Sequence, residues 1–392
     1  MDPNILQQAM AAFHGDSAAK LRRLLEAHPG LRPLLDGTTG SFNSAPIHNA
    51  RSAAMIDVLA DFGANLNALT KWEPGGFHAL EMLAPDLAAH ALSRGARLTV
   101  HAAARLGMLP ELRKLVEADP TLVHARGGDG KFPLHYATTP EIAEFLLANG
   151  ADINARDIDH SSTAAQYLVK SHPAVARFLF SKGCQTDVLM AAALGDQSLV
   201  DAILLQDPEA IRTRVSDEWF PLMGSPYGGT IYQWELGWHV SAVQVALKFG
   251  YPDLARYLQS RCPSDEYFLN ACWLHEEVAC PVPVHEFTPA ARRHLAHAAR
   301  NNDTTTATLL LAAGFPLDAR SQHNATVLHW AAFHCNTELV GRLLAAGADS
   351  TDTNNDYQGT PLDWATHGSK NGWYPNVGDY PKTVQLLRDF TQ

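Results

Sequence analysis

The sequence predicts an all-α solenoid of about eleven or twelve stacked helix pairs, joined by short finger-like turns. Three observations predict it: a six-residue motif recurs, its copies keep a near-constant spacing, and each leads into an apolar run that closes on glycine. Phe132-Pro133-Leu134-His135-Tyr136-Ala137 is followed by a run ending in Gly150-Ala151-Asp152-Ile153-Asn154. The same grammar returns in Thr326-Val327-Leu328-His329-Trp330-Ala331 with Gly347-Ala348-Asp349, and in Ala45-Pro46-Ile47-His48-Asn49-Ala50 with Gly63-Ala64-Asn65. Thr360-Pro361-Leu362-Asp363-Trp364-Ala365 opens a further copy. His101 and His135 are 34 residues apart, His297 and His329 are 32, and His329 and Asp363 are 34.

Each element has a physical reason. The Thr-Pro opening starts the first helix, with proline at the first helical position, where its missing N–H costs nothing. Leu134 and Ala137 recur at helical spacing and face the neighbouring unit. The second helix supplies a Leu-Leu pair to the core, and Gly150 and Gly347 supply the left-handed residue that ends it.

These residues resemble the ankyrin repeat, whose hallmark is Thr-Pro-Leu-His-x-Ala followed by a helix ending in Leu-Leu-x-x-Gly-Ala-Asp/Asn, with a period of about 33 residues. The resemblance extends along nearly the whole chain and is that of a long, degenerate, bacterial-type array. It implies one continuous array over residues 1–392, with a capping helix pair at 1–36 and an atypical capping repeat at 356–392. Degenerate first helices are read at 77–83, 100–105, 163–169, 189–194, 242–249, 268–274 and 295–300. From His78 to His101 is only 23 residues, so that unit keeps its helices and loses its finger.

The repeat is broken in two places, and insertions into solenoids emerge as loops on one face. Met190 and Gln244 are 54 residues apart, and the segment 212–240 carries Trp219, Phe220, Tyr227, Tyr232, Trp234 and Trp238. Thr230, Tyr232, Trp234 and Leu236 alternate with Ile231, Gln233 and Glu235 after a Gly228-Gly229 turn. That alternation predicts an enlarged finger, an aromatic β-hairpin. In the second interruption, His367-Gly368-Ser369-Lys370-Asn371-Gly372-Trp373-Tyr374 stands between Trp364 and a helix beginning near Lys382. Its glycine and asparagine content predicts irregular turns that bring Trp364, His367 and Trp373 together.

Composition narrows the functional classes. Asp and Glu number 41 against 30 Lys and Arg, for a net charge of -11, which argues against nucleic acid as the main partner. No apolar run approaches the roughly 18 residues of a membrane span. The first residues read as a helix rather than a signal peptide. The five cysteines are odd in number and lack a CxxC pair, as in reduced thiols of a cytoplasmic protein. A zinc site from Cys272, Cys280 and His275 lacks a second ligand pair at metal-site spacing.

Most of the 19 histidines are read as structural. His48, His135 and His329 stand where the resemblance implies a buried hydrogen-bonding pin between repeats, and His101 and His297 fall at related positions. His160, His239, His323 and His334 do not fit that slot. Imidazole beside carboxylate is the minimum for acid–base chemistry. However, there is no GxSxG, HExxH or phosphate-binding GK[ST] loop, so no catalytic residue, metal or cofactor is assigned.

The array therefore reads as a cytoplasmic protein- or peptide-binding scaffold that uses a concave groove, with no nucleic-acid or membrane partner. Candidate binding residues are Tyr232, Trp234, Trp238, His239, Asp159, His160, His323, Trp330, His334, Asp356, Trp364, His367 and Trp373. The alternative is a small-molecule binder or enzyme with a pocket between the 212–240 hairpin and the C-terminal repeats.

Overall fold

The computed structural model describes residues 3–391 apart from residues 39, 222, 224–227 and 374–377, so Tyr227 and Tyr374 lie outside the described residues. Among the described residues the regular elements are helices, and backbone pairing beyond them is confined to isolated bridges such as Arg156 with Thr163 and Arg320 with Thr326. Each bridge closes the base of a finger. Left-handed residues turn the tips, at Asp129 (φ 59°), Ser161 (φ 48°) and His323 (φ 59°).

Contacts divide the chain into two compact units. The first comprises Met1–Met190 and Val215–Gly237. It opens with the antiparallel pair Pro3–His14 and Ala18–Ala27, whose Ala9, Ala12, Phe13, Leu21 and Leu25 are buried at helical spacing. Pairs then follow as Val100–Arg105 with Leu109–Ala118, and Ala164–Ser171 with Pro173–Ser181. Two first helices shrink to single 3-10 turns, Pro46–Asn49 and Pro133–Tyr136. In the latter the sequence leaves no room for more. Thr139 caps the next helix by accepting from the Ile142 N–H, and Pro140 disfavours helical geometry in the residue before it.

The second unit comprises Ala191–Arg214 and Trp238–Gln392. Its pairs include Ala242–Lys248 with Pro252–Arg261, His294–Arg300 with Thr304–Ala312, Val327–Phe333 with Thr337–Ala345, and Pro361–Asn371 with Tyr380–Thr391. Alanines 298, 299, 331, 332 and 365 are fully buried between the helices, which lets them approach closely.

The two interruptions differ from expectation. No strand forms in the described part of 212–240; Tyr232–Glu235 is a helical turn. Tyr232 and Leu236 are both fully buried while Trp234 is 67% exposed, so the burial follows an i, i+4 face and not a two-residue alternation. Similarly, the polar stretch after Trp364 is not irregular until Gly372: the helix Pro361–Asn371 runs through His367, Gly368 and Asn371. Gly368 is there for packing, because a Cβ at that position would collide with the Phe333 carbonyl of the neighbouring helix.

This contact makes Gly368→Ala diagnostic. On a free helical surface alanine would stabilise by up to about 1 kcal/mol. Against the Phe333 backbone we expect a loss of about 1–3 kcal/mol in urea unfolding, and a gain would contradict the packing.

Candidate functional site

The repeat histidines act as pins. The Nε2 atoms of His48, His101 and His135 contact the carbonyl oxygens of Phe77 (3.0 Å), Ala125 (2.9 Å) and Ser162 (3.1 Å). His329 Nε2 lies 3.1 Å from the Gly359 carbonyl. A carbonyl can only accept, so Nε2 carries the proton. In His135 and His329 Nδ1 accepts, from the Phe132 N–H and the Thr326 N–H, whereas His48 Nδ1 faces the Ala45 carbonyl at 3.2 Å. Burial holds His101 near pKa 4 and His135 near 3.

In the first unit the finger tips carry a polar cluster. The Lys131 ammonium sits 3.2 Å from Asp129 and faces the rings of Tyr136 (4.8 Å), Phe77 and Tyr167 (both 5.2 Å). Glu81 accepts from the Gly128 N–H and the Tyr136 hydroxyl, and burial pushes its carboxyl up to about 7. Asp159 and His160 belong to the same cluster. The Gly228 N–H donates to Asp159 (3.1 Å), and His160 Nδ1 donates to the Gly229 carbonyl (2.7 Å). A Cβ at Gly228 would enter the His160 ring, so the glycine pair serves close approach as well as turning. Asp129, Asp159 and His160 bring ligand atoms within 4.8 Å of one another. Trp72 and Lys131 at Asp129, and Gly228 at Asp159, already donate to those carboxylates, so the cluster supplies its own cations and donors. Tyr232 is a core residue here, donating to Asp187 at 3.0 Å, whereas Trp234 projects into solvent.

In the second unit Trp238 and His239 enter a buried histidine stack. The His239 ring lies 3.8 Å from His297 and 4.5 Å from His294, centroid to centroid. Trp238 and Trp273 donate their indole N–H groups to His297 and His294. Arg214 anchors this corner through Glu266 (2.5 Å), Asn270 (2.8 Å) and the His239 carbonyl. Burial depresses all three imidazoles, His297 to about 3, and the neighbouring arginines add to the effect.

The same unit carries an aromatic cleft of about 500 Å3, lined by His323, Trp330, Phe333, Tyr357, Gly359, Asp363, Trp364, His367, Asn371 and Trp373. The helix Val327–Phe333 supplies Trp330 and Phe333, the helix Pro361–Asn371 supplies Trp364 and His367, and finger tips supply His323 and Tyr357. Trp330 meets Trp364 edge-to-face at 5.1 Å and Trp373 at 5.4 Å, and Tyr357 meets Trp364 at 5.7 Å. The indole N–H groups of Trp330 and Trp364 are spent on Ser321 and Asn355, which fixes the rings and leaves their π surfaces as the working part. Tyr357 is 65% and Trp373 48% exposed, while Trp330 and Trp364 are buried. Asp356 stands at the rim, 3.5 Å from His323. His334 lies beside Trp373, donates from Nε2 to the Arg300 carbonyl (2.8 Å), and is held near pKa 4 by burial.

Seven of the thirteen candidates thus gather around one cleft: His323, Trp330, His334, Asp356, Trp364, His367 and Trp373. Asp159, His160, Tyr232 and Trp234 belong to the first unit. Trp238 joins the cleft's surroundings through Arg300, whose guanidinium lies 4.0 Å from its ring and 4.9 Å from that of Trp373. Sequence reasoning missed Arg300 and Tyr357. Tyr357 stands beside Gln358, a left-handed finger tip, and that was its readable signal.

The family model described as ankyrin repeats in three copies matches residues 100–189 and 295–373. Over those residues the chain matches ankyrin repeats, and its described elements are helical. Among curated proteins it is similar to the serine/threonine-protein kinase VIK of Arabidopsis thaliana, 51% identical over 49 residues. That stretch is 12% of this chain, which spans only 11% of the kinase. Among solved structures it is similar to the ankyrin repeat domain of Bcl-3, a member of the IkappaB protein family, at 21% identity and a TM-score of 0.24. That match covers 74% of this chain and 98% of the other. The human ASB11 ankyrin repeat domain matches at 18% identity and a TM-score of 0.29, covering 75% and 98%.

The buried imidazoles set a pH dependence. His101 and His334 near 4, and His135 and His297 near 3, lie below the ordinary value of 6.5, so below pH 6.5 the unfolded chain binds the extra protons. The stability they contribute is complete above pH 6.5 and is lost as pH falls toward 4, at up to about 1.4 kcal/mol per pH unit per imidazole. Glu81, raised to about 7, acts with the opposite sign, its contribution being lost as pH rises through 7. Urea midpoints should therefore drop steeply between pH 6.5 and 5; a flat profile there would contradict the neutral pins.

Proposed function

We propose that this ankyrin-repeat chain is a protein- or peptide-binding scaffold that grips its partner at the aromatic cleft of the second unit. One observation carries the reading: Tyr357 and Trp373 stand exposed beside the buried Trp330 and Trp364, a ring cluster with fixed N–H groups and open π surface. Trp and Tyr dominate the energetics of protein interfaces because they offer large contact area at low entropy cost. His323, Asp356, Asp363 and His367 supply a polar rim. The five cysteines are free thiols, in keeping with a reducing, cytoplasmic setting.

Panning a displayed peptide library against the full chain, then measuring enriched peptides by calorimetry, tests this. Tyr357→Ala and Trp373→Ala should each weaken binding by about 2 kcal/mol, roughly thirtyfold, with helical circular dichroism unchanged. Trp234→Ala, at the exposed ring of the first unit, should leave affinity intact. If the enriched peptides ignore the cleft substitutions, the cleft is not the grip and the reading fails.

A further inference from the structure

The chemistry of the cleft narrows what it grips. Aromatic faces attract cations through the ring quadrupole, most strongly for Trp, when the charge lies within about 6 Å of the centroid. Two places in the chain already use its rings this way. Arg300 lies over Trp373 at 4.9 Å and Trp330 at 5.7 Å, and Lys131 lies among Phe77, Tyr136 and Tyr167. Asp356 and Asp363 add two carboxylates at the cleft, whose lining contains no lysine or arginine among the described residues. The chain as a whole is acidic, at -11. A cation is therefore the favoured guest.

The kind of cation follows from the hydrogen-bond acceptors. The internal ammonium of Lys131 has a carboxylate partner at 3.2 Å. In the cleft the Gly359 carbonyl is taken by Asn355 and His329, while Asp363, whose Oδ2 accepts from Thr360, and Asp356, 3.5 Å from His323, are exposed carboxylates at its edge. A primary ammonium seated among the rings, away from those edge carboxylates, would shed water from three N–H groups with the Gly359 carbonyl already engaged, and an unpaired polar group costs free energy when buried. A trimethylammonium group has no N–H to satisfy. It presents methyl surface to the rings and keeps its charge.

We propose that the cleft binds an alkylated ammonium, the trimethylated lysine side chain of a protein partner; this rests on the scaffold reading above and names the group recognised. Volume supports a side chain with flanking backbone, since about 500 Å3 far exceeds one ammonium head. Exposure of Tyr357 and Trp373 lets the rings meet a chain that runs across the surface.

The test is tryptophan-fluorescence titration of the full chain with Nα-acetyl-trimethyl-lysine amide. Three comparison probes are used: its unmethylated form, its neutral isostere bearing a tert-butyl carbon in place of nitrogen, and choline. The trimethyl probe should bind saturably, at least tenfold tighter than each of the others. Tyr357→Ala or Trp373→Ala should weaken it at least tenfold. Equal binding of the carbon isostere would reduce the site to apolar burial and overturn the proposal. So would equal binding of plain lysine, choline binding as tightly as the probe, or no binding of the probe. In a synthetic peptide library that includes trimethyl-lysine, enrichment of cleft-dependent peptides that carry no alkylated lysine would overturn this proposal and leave the scaffold reading standing. Peptides that bind without the cleft would overturn the scaffold reading itself.

Discussion

A neutral imidazole bonded to the carbonyl of a following segment is the interaction on which the repeats depend. A helix pair alone cannot bury its apolar face, and stacking works only if successive pairs keep register. His48, His101, His135 and His329 set that register by donating from Nε2 to Phe77, Ala125, Ser162 and Gly359. In His135 and His329 the other nitrogen accepts a backbone N–H within its own turn, so one ring ties a first helix to the next finger. Protonation would remove that acceptor and place a charge in a dry interface. His101, His135 and His329, whose imidazoles burial holds below the ordinary value, thus join mechanical linkage to acid sensitivity.

Fixing the bases of the fingers fixes what their tips can do. A tip must reverse direction in a few residues, and it does so through left-handed backbone at Asp129, Ser161, His323 and Gln358. Side chains beside these turns are held at defined positions without a sheet to support them. In the first unit they assemble Asp129, Asp159, His160 and Lys131 into a cluster whose charges answer one another. In the second they carry His323 and Tyr357 to rings presented by two adjacent first helices. The same scaffold logic therefore yields a closed polar knot in one unit and an open aromatic cleft in the other.

How much of this was legible in the sequence depends on the range of the interaction. Caps, pins and glycine stops are local, so Thr139, His135, Gly150 and Gly347 declared their roles by type and spacing, with left-handed φ of 94° and 93° at the two glycines. The gathering of Trp364, His367 and Trp373 was also readable, since one short segment holds them. Where composition stood in for geometry, reading failed. The alternation around Tyr232 mimicked a strand because a single helical turn also buries residues i and i+4. Gly368 mimicked a loop residue because a glycine needed for helix–helix approach looks the same in sequence as one needed for a turn. Glu81 was invisible for a different reason: its partners Gly128 and Tyr136 lie 47 and 55 residues away.

The contrast between Lys131 and the cleft bears on what kind of site the cleft is. Around Lys131 the rings, the carboxylate and the ammonium come from one unit, so the free energy of bringing them together is folding free energy. In the cleft, rings and carboxylates stand together with no lysine or arginine in the lining among the described residues. Tyr357 and Trp373 keep large apolar surface in water, at roughly 25 cal/mol for each Å2 left uncovered. Folding alone gives no return for that exposure, and a well-packed array would bury such rings as it buries Trp330. Arg300 already occupies ring surface of Trp330 and Trp373, which stiffens them without closing the cleft. A partly exposed aromatic surface beside two carboxylates is the feature that separates this cleft from a seam in the core, and the proposed binding role rests on it.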